Sequence, residues 1–167
     1  ERADRWVVPG IAMFSRWGFK RSLPQRQPVS QYLDGQHVVV TGASSGLGLA
    51  TSVALAEAGA DLTLVIRDPK KSAALLDTIE AETGRRDINI ELADLSLMAH
   101  VEALSDRLLA QGKPIDVLIN NAGALFNDYG LTEEGLEQSF ALLLLSPWQL
   151  TRNLLPLLAD HERKCRV

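Results

Sequence analysis

A chain of 167 residues with 46% hydrophobic and 23% charged side chains has the makeup of one globular domain and excludes a disordered or fibrous chain. The single cysteine, Cys165, excludes an internal disulfide, and the isolated His37, His100 and His161 leave no spacing of a zinc site, so no metal is expected and a reducing cytoplasm is the expected compartment. The net charge of −4 is unevenly spread: residues 1–34 hold six bases and three acids, while the remainder holds eleven bases and eighteen acids, an acidic body that does not attract nucleic acid.

The leader, residues 1–34, carries Trp6 and Trp17 in RWVVPGIAMFSRWGFKR. Apolar residues flanked by bases and aromatics either lie peripherally on an anionic membrane surface or dock on the protein's own body. Pro9, Gly10 and Arg16 interrupt the run, which is shorter than the ~20 apolar residues a spanning helix needs. No clear cleavable signal is present, and the absence of an initiator Met leaves open what precedes Glu1. Pro24 and Pro28 punctuate a polar linker, and residues 35–167 follow as the second unit.

From His37 the pattern becomes regular. His37–Thr41 is a β-branched run and predicts a buried strand; Gly46–Ala58, rich in Ala and Leu and stopped at Gly59, predicts a helix. Asp61–Ile66 is a second strand, Pro69 opens a helix that ends at Gly84, Ile88–Leu92 is a third strand, Leu97–Gln111 a third helix, and Ile115–Ile119 a fourth strand. A last helix is predicted to start near Thr132, where TEEG offers a hydroxyl cap and acids for the positive end of the helix dipole; Pro147 should bend it and Pro156 lies near its end. Arg166 and Val167 read as the first residues of another strand. Strands alternating with helices of this length imply right-handed crossovers: an α/β fold of Rossmann type, a parallel sheet with helices on both faces, truncated after about four strands.

Two segments carry the chemistry. In VVVTGASSGLGLA, Val38–Ala50, a strand runs into a glycine turn and opens a helix, which aims backbone N–H groups and the helix dipole at an anion. Gly42 allows the tight turn, Gly46 lets a pyrophosphate approach the backbone, and Gly48 lets helix and strand pack closely, with Ser44 and Ser45 adding hydroxyl donors. The second strand ends at VIRDP, where an acid would accept from a ribose 2′-OH and an Arg would pair with a 2′-phosphate; Arg67 comes first, which favours NADP over NAD, with selection by the adjacent Asp68 as the alternative. At the end of the third strand, ADLS places Asp94 and Leu95 where an open sheet receives ligand; Asp94 either accepts from an adenine amino group or begins a turn. The second segment, VLINNAGAL, spans Val117–Leu125.

With TGASSGLG, DLS and NNAG in this order, the chain resembles the N-terminal half of a short-chain dehydrogenase/reductase over about Gln36–His161. VIRD, LTEEGLEQSF and the basic, aromatic leader are most similar to retinol-dehydrogenase-type and dehydrogenase/reductase member 12-like members. By that resemblance Gly42, Ser44, Ser45, Gly46, Leu47 and Gly48 cradle the pyrophosphate, Arg67 holds the 2′-phosphate, and Asp94 and Leu95 flank adenine. Asn120, Asn121, Ala122 and Gly123 brace the sheet and line the ribose and nicotinamide side, with a purely structural role for the two asparagines equally open. The reaction implied is hydride transfer between nicotinamide and a carbonyl or alcohol.

The departures from the family pattern bear on that reaction. It uses a Tyr-x-x-x-Lys, a Ser and an Asn relay, yet Tyr32 and Tyr129 are followed four residues on by Gln36 and Glu133, and the relay Asn falls at Leu143. No catalytic residue is therefore assigned; the Ser, Tyr and Lys would lie beyond Val167. The chain is expected to be a fragment or altered reading frame of an NADP-dependent oxidoreductase, a half-protein whose partner supplies the missing strands, or a noncatalytic nucleotide-binding or assembly module. An apolar fourth strand left as an open edge predicts self-association or a covering partner.

Overall fold

The computed structural model describes residues 33–158 and 165–167. The aromatic leader and His161 lie outside the described residues, as does most of the linker. Four strands, β1 (His37–Thr41), β2 (Asp61–Ile66), β3 (Asn89–Leu92) and β4 (Val117–Ile119), form one sheet in the order β3-β2-β1-β4. All three pairings are parallel, with His37 opposite Asp61, Val38 opposite Val117 and Thr63 opposite Asn89.

The crossovers are α1 (Gly46–Glu57), α2 (Ser72–Thr83) behind a 3-10 turn at Pro69–Lys71, and α3 (Met98–Gln111). Strand alternation sends β1 side chains to opposite sides. Val38 and Val40 join Leu62, Leu64, Ala56, Leu75 and Ile79 in one core, under α1 and α2. Val39 and Val65 join Val101, Leu104, Leu108, Leu150 and Leu154 in the other. Every β1 residue is buried, as expected of a strand covered on both faces. Because the chain winds outward from β1 in both directions, the carboxyl ends of β1 and β4 flank the point where strand order reverses.

Two expectations need correction. The last helix does not start at Thr132. Thr132 closes a turn instead, donating its N–H to Leu136 O and accepting the N–H of Gly135 and, at its hydroxyl, that of Leu136. Glu134 turns away to accept from the N–H of Ala99 at 2.9 Å and of Met98 at 2.6 Å, capping α3. The helix begins at α4 (Gln138–Phe140), where the Glu137 carboxylate accepts from Ser139 and Phe140 N–H. A π turn at Ala141–Leu145, closed by Ser146 N–H on Ala141 O, then precedes α5 (Ser146–Asn153) and α6 (Leu155–Leu158). Pro147 in the first turn of α5 cannot donate to the carbonyl four residues back, which explains why the ladder widens before it.

The second correction concerns β4, whose outer edge is partly paired. Arg166 bridges Val117 in parallel, donating its N–H to Asp116 O and accepting the N–H of Leu118. Arg166 thus behaves as the predicted start of another strand.

His37 opens β1 almost fully buried, its Nδ1 2.8 Å from Pro114 O and its Nε2 2.9 Å from the Thr63 hydroxyl. Burial holds its pKa below the ordinary range, outweighing the Pro114 carbonyl; Lys113 reinforces the depression, and Asp61 and Asp116 oppose it. As the pH falls, the unfolded chain takes up this proton before the folded one does. The contribution to stability is complete above the ordinary histidine pKa of about 6.5 and is lost on acidification towards the depressed value. Denaturant melts between pH 7 and 5 should therefore show stability falling with pH, and His37→Gln should flatten that slope.

Candidate functional site

At the carboxyl ends of β1 and β4 the two sequence segments become one structure. The buried Thr41 hydroxyl accepts the N–H groups of Asn121 and Ala122, both at 3.0 Å, and donates to Ile119 O at 3.2 Å. In return the Asn121 side-chain amide donates to Thr41 O at 2.9 Å and Gly42 O at 3.3 Å. Such closeness leaves no room for side chains. A Cβ on Gly42, whose φ is +68°, would lie 2.7 Å from Ala122 Cα, and one on Gly48 would run into the Gly42 carbonyl oxygen and lie 2.5 Å from Asn121 Nδ2. Asn121 is thus the brace between β1 and β4, while the exposed Asn120 reaches Thr151 on α5 at 3.2 Å.

A cleft of about 650 Å³ opens above these turns. Its wall brings together Gly42, Ser44, Ser45, Gly46, Leu47 and Gly48 from the first segment, Arg67 from the end of β2, Asp94 and Leu95 after β3, and Asn121, Ala122 and Gly123 after β4. The first turn of α1 has no side-chain cap: Ser45 stands at the N-cap position, but its hydroxyl makes no cap bond. Gly46 has nothing within 4 Å of where a Cβ would project. An uncapped helix start with open space beside it and two hydroxyls suits a phosphate anion, and a dinucleotide pyrophosphate fits this donor set.

The other residues differ in how they meet the cleft. Arg67 is exposed and carries no ion pair among the described residues. Asp94 does begin a turn: one carboxylate oxygen accepts Ser96 N–H at 3.0 Å and Ser96 Oγ at 2.7 Å. Leu95 is buried in the core, so it supports the wall more than it offers a surface. Sequence reasoning missed Lys71, Ser96, Phe126, Gln138 and Leu142, which also line the cleft. Lys71 follows Arg67 by one short turn and was detectable in RDPKK; Phe126, Gln138 and Leu142 reach the wall through a loop and helix whose course no local pattern announces.

At the far end Leu143 lies on the π turn, with its Cδ2 3.3 Å from the Cβ position of Gly123. The position matched by resemblance to a relay Asn thus stands against the NNAG turn, but offers only methyl groups. Tyr129 is on an exposed loop. Glu134 holds the end of that loop to α3, and the Ala99 and Met98 N–H groups keep its carboxyl below the usual range.

The short chain dehydrogenase family model matches residues 36–166. Dehydrogenase/reductase SDR family member 12 from Bos taurus is 33% identical over 168 residues, 99% of this chain and 52% of that protein. Retinol dehydrogenase 11 from Homo sapiens is 36% identical over 128 residues, 77% of this chain and 40% of the relative. The chain spans about half the length of such relatives, or less. Among solved structures, an E. coli oxidoreductase is similar with a TM-score of 0.69 at 25% identity, covering 86% of this chain and 60% of that one. L-Sorbose reductase from Gluconobacter frateurii, complexed with NADPH and L-sorbose, has a TM-score of 0.64 at 26% identity, covering 78% and 49%.

The brace predicts a specific loss. Thr41→Val keeps the shape but leaves the Ala122 N–H without its acceptor, and should cost about 1–3 kcal/mol in a denaturant melt, with Thr41→Ser close to wild type.

Proposed function

The chain belongs to the short chain dehydrogenase family, and on that premise we propose that its cleft binds NADP(H) as the nucleotide-binding part of an oxidoreductase. The observation that carries this reading is the uncapped start of α1 opening onto the same cleft as the unpaired Arg67. The N–H groups of Gly46, Leu47 and Gly48, with the Ser44 and Ser45 hydroxyls, hold the pyrophosphate. Arg67 pairs with the 2′-phosphate. Asp94, already fixed by Ser96, turns its carboxylate to the adenine amino group beside Leu95, and Asn121, Ala122 and Gly123 form the floor beneath ribose and nicotinamide. The NADPH held by the structurally similar L-sorbose reductase supports the same ligand here.

When bound, the nicotinamide supplies or accepts a hydride, against a carbonyl or an alcohol. What this chain contributes is binding and orientation. Neither tyrosine has a Lys four residues on, and Leu143 places no hydrogen-bonding group beside Gly123. The general acid/base of that reaction therefore comes from sequence beyond Val167 or from a partner chain. Leu143 equally favours a second reading, a noncatalytic nucleotide-binding or assembly module. An intact Tyr-x-x-x-Lys in the gene downstream of Val167 supports the first, and its absence in every frame the second.

Among the described residues, no helix is long and apolar enough to cross a membrane. Any membrane contact is assigned to the leader, as peripheral attachment through Trp6, Trp17 and its bases, with docking on the body as the alternative. Phe140, Leu144, Trp148 and Leu155 are each about half exposed along α4–α6 and support self-association or a covering partner. Sedimentation at micromolar concentration should show oligomers; a monodisperse monomer would count against this.

Fluorescence titration should give saturable binding with NADPH preferred over NADH. Arg67→Asp should weaken NADPH by at least about tenfold, the equivalent of one lost charge-assisted contact, while sparing NADH. Folded protein that binds neither nucleotide would overturn the reading.

A further inference from the structure

Helix α3 starts without a cap of its own. Leu97 stands at its N-cap with no side-chain acceptor to offer, and the first turn holds no acid. The first amides of a helix have no partner within it, and here two of them are met from 36 residues away. The Glu134 carboxylate accepts the N–H of Met98 at 2.6 Å and of Ala99 at 2.9 Å, from the tip of the turn that Thr132 closes. Such bonds are charge-assisted, and the positive end of the helix dipole favours them further.

The turn that Glu134 ties down ends a segment with little else to hold it. Residues 123–129 make no backbone–backbone hydrogen bond among the described residues. Leu125 and Tyr129 are exposed, and Phe126 belongs to neither core. Yet Ala124 and Phe126 line the cleft, as does Gln138 just past the turn. The segment is an arch whose hydrogen bonds lie at its two ends. The Asn121 brace holds one end. At the other, Leu131 bridges Glu137, and Gly130 O accepts the Gln138 N–H at 3.0 Å. The Gln138 amide rests where a Cβ on Gly130 would project, with Oε1 3.0 Å from that point.

We propose that Glu134 is a positioning residue for the cleft: latched on the start of α3, it fixes the far end of the arch and so sets Phe126 and Gln138 against a bound nucleotide. The inference rests on the cleft being the NADP(H) site. Glu134 is not part of the cleft wall, so it acts through the arch. A loop whose ends are both held has less freedom to lose on binding than one whose far end drifts. Ala124, Phe126 and Gln138 carry no charge. Freeing them should therefore weaken NADPH and NADH alike, unlike a change at Arg67.

The test compares wild type, Glu134→Ala, and Glu134→Ala combined with Leu97→Ser, all as the full chain, by hydrogen exchange without nucleotide and by fluorescence titration with NADPH and NADH. Ser at the N-cap gives α3 a local acceptor but leaves the turn untied, which separates capping from latching. Glu134→Ala should speed exchange of the Thr132 and Gln138 amides by about tenfold and weaken both nucleotides by about three- to tenfold, the equivalent of one lost helix cap. The double variant should recover slow exchange at the start of α3 while Thr132 and Gln138 stay fast and both nucleotides stay weak. Full recovery by Leu97→Ser would reduce Glu134 to a cap and overturn the proposal. Unchanged exchange at Thr132 and Gln138 in Glu134→Ala, unchanged affinity, or a loss confined to NADPH would overturn it too. If wild type binds neither nucleotide the NADP(H) reading falls, and the exchange rates still decide whether Glu134 holds the arch.

Discussion

The Thr41 hydroxyl is the point on which the site depends. It takes two N–H groups from the turn after β4 and gives its proton to the carbonyl that ends that strand, while Asn121 returns two hydrogen bonds to the turn after β1. Individually such bonds contribute about 1 kcal/mol. Together they lock the two central strands at the point where the winding reverses, and the absence of side chains at Gly42 and Gly48 is the steric condition for that closeness. The cleft above inherits its shape from this knot. A shift of either turn would move the start of α1 and the NNAG floor relative to each other.

The electrostatics follow from how the carboxylates are used. An acidic body is a poor receptor for a dinucleotide polyanion unless the acids near the cleft are occupied. Asp68 caps the 3-10 turn, Asp94 binds Ser96, and Glu134 caps α3. Each meets a backbone N–H, and Asp94 a hydroxyl besides, so part of its charge is turned inward, while α1 keeps its own start uncapped. More distant acids are screened beyond about 8 Å at physiological salt. The uncapped helix start, the serine hydroxyls, Arg67 and Lys71 line the same cleft as the engaged Asp68 and Asp94.

The last helical stretch shows how packing redirects a local pattern. The Leu142–Leu145 run is apolar throughout, yet Leu143 and Leu144 are largely exposed and the buried positions are Ala141, Ser146, Leu150 and Leu154. The π turn explains this: one extra residue per turn shifts the stripe that faces α3. It also sets Leu143 against Gly123, linking a helix irregularity to the floor of the cleft.

The four strands and the first three helices were legible because their signals are local: β-branched runs bounded by Gly and Pro, a glycine turn at a strand end, and glycines after Ala- and Leu-rich segments. The glycine segment and NNAG could be placed at strand ends for the same reason, and Arg67 at the edge of the site with them. What only the tertiary structure decided depends on partners distant in sequence. The TEEG segment looked like a helix start, but its Glu134 caps a helix 36 residues earlier, and the turn at Thr132 frees it to do so. The edge of β4 is partly paired through Arg166. That Asp68 caps its own turn through the Lys70 N–H, and that Phe126 and Gln138 share one wall with the glycine turn, depended on how the loops cross the sheet. Periodicity and turn chemistry act over a few residues and sequence alone carries them; which carboxylate meets which N–H is settled only when the layers close.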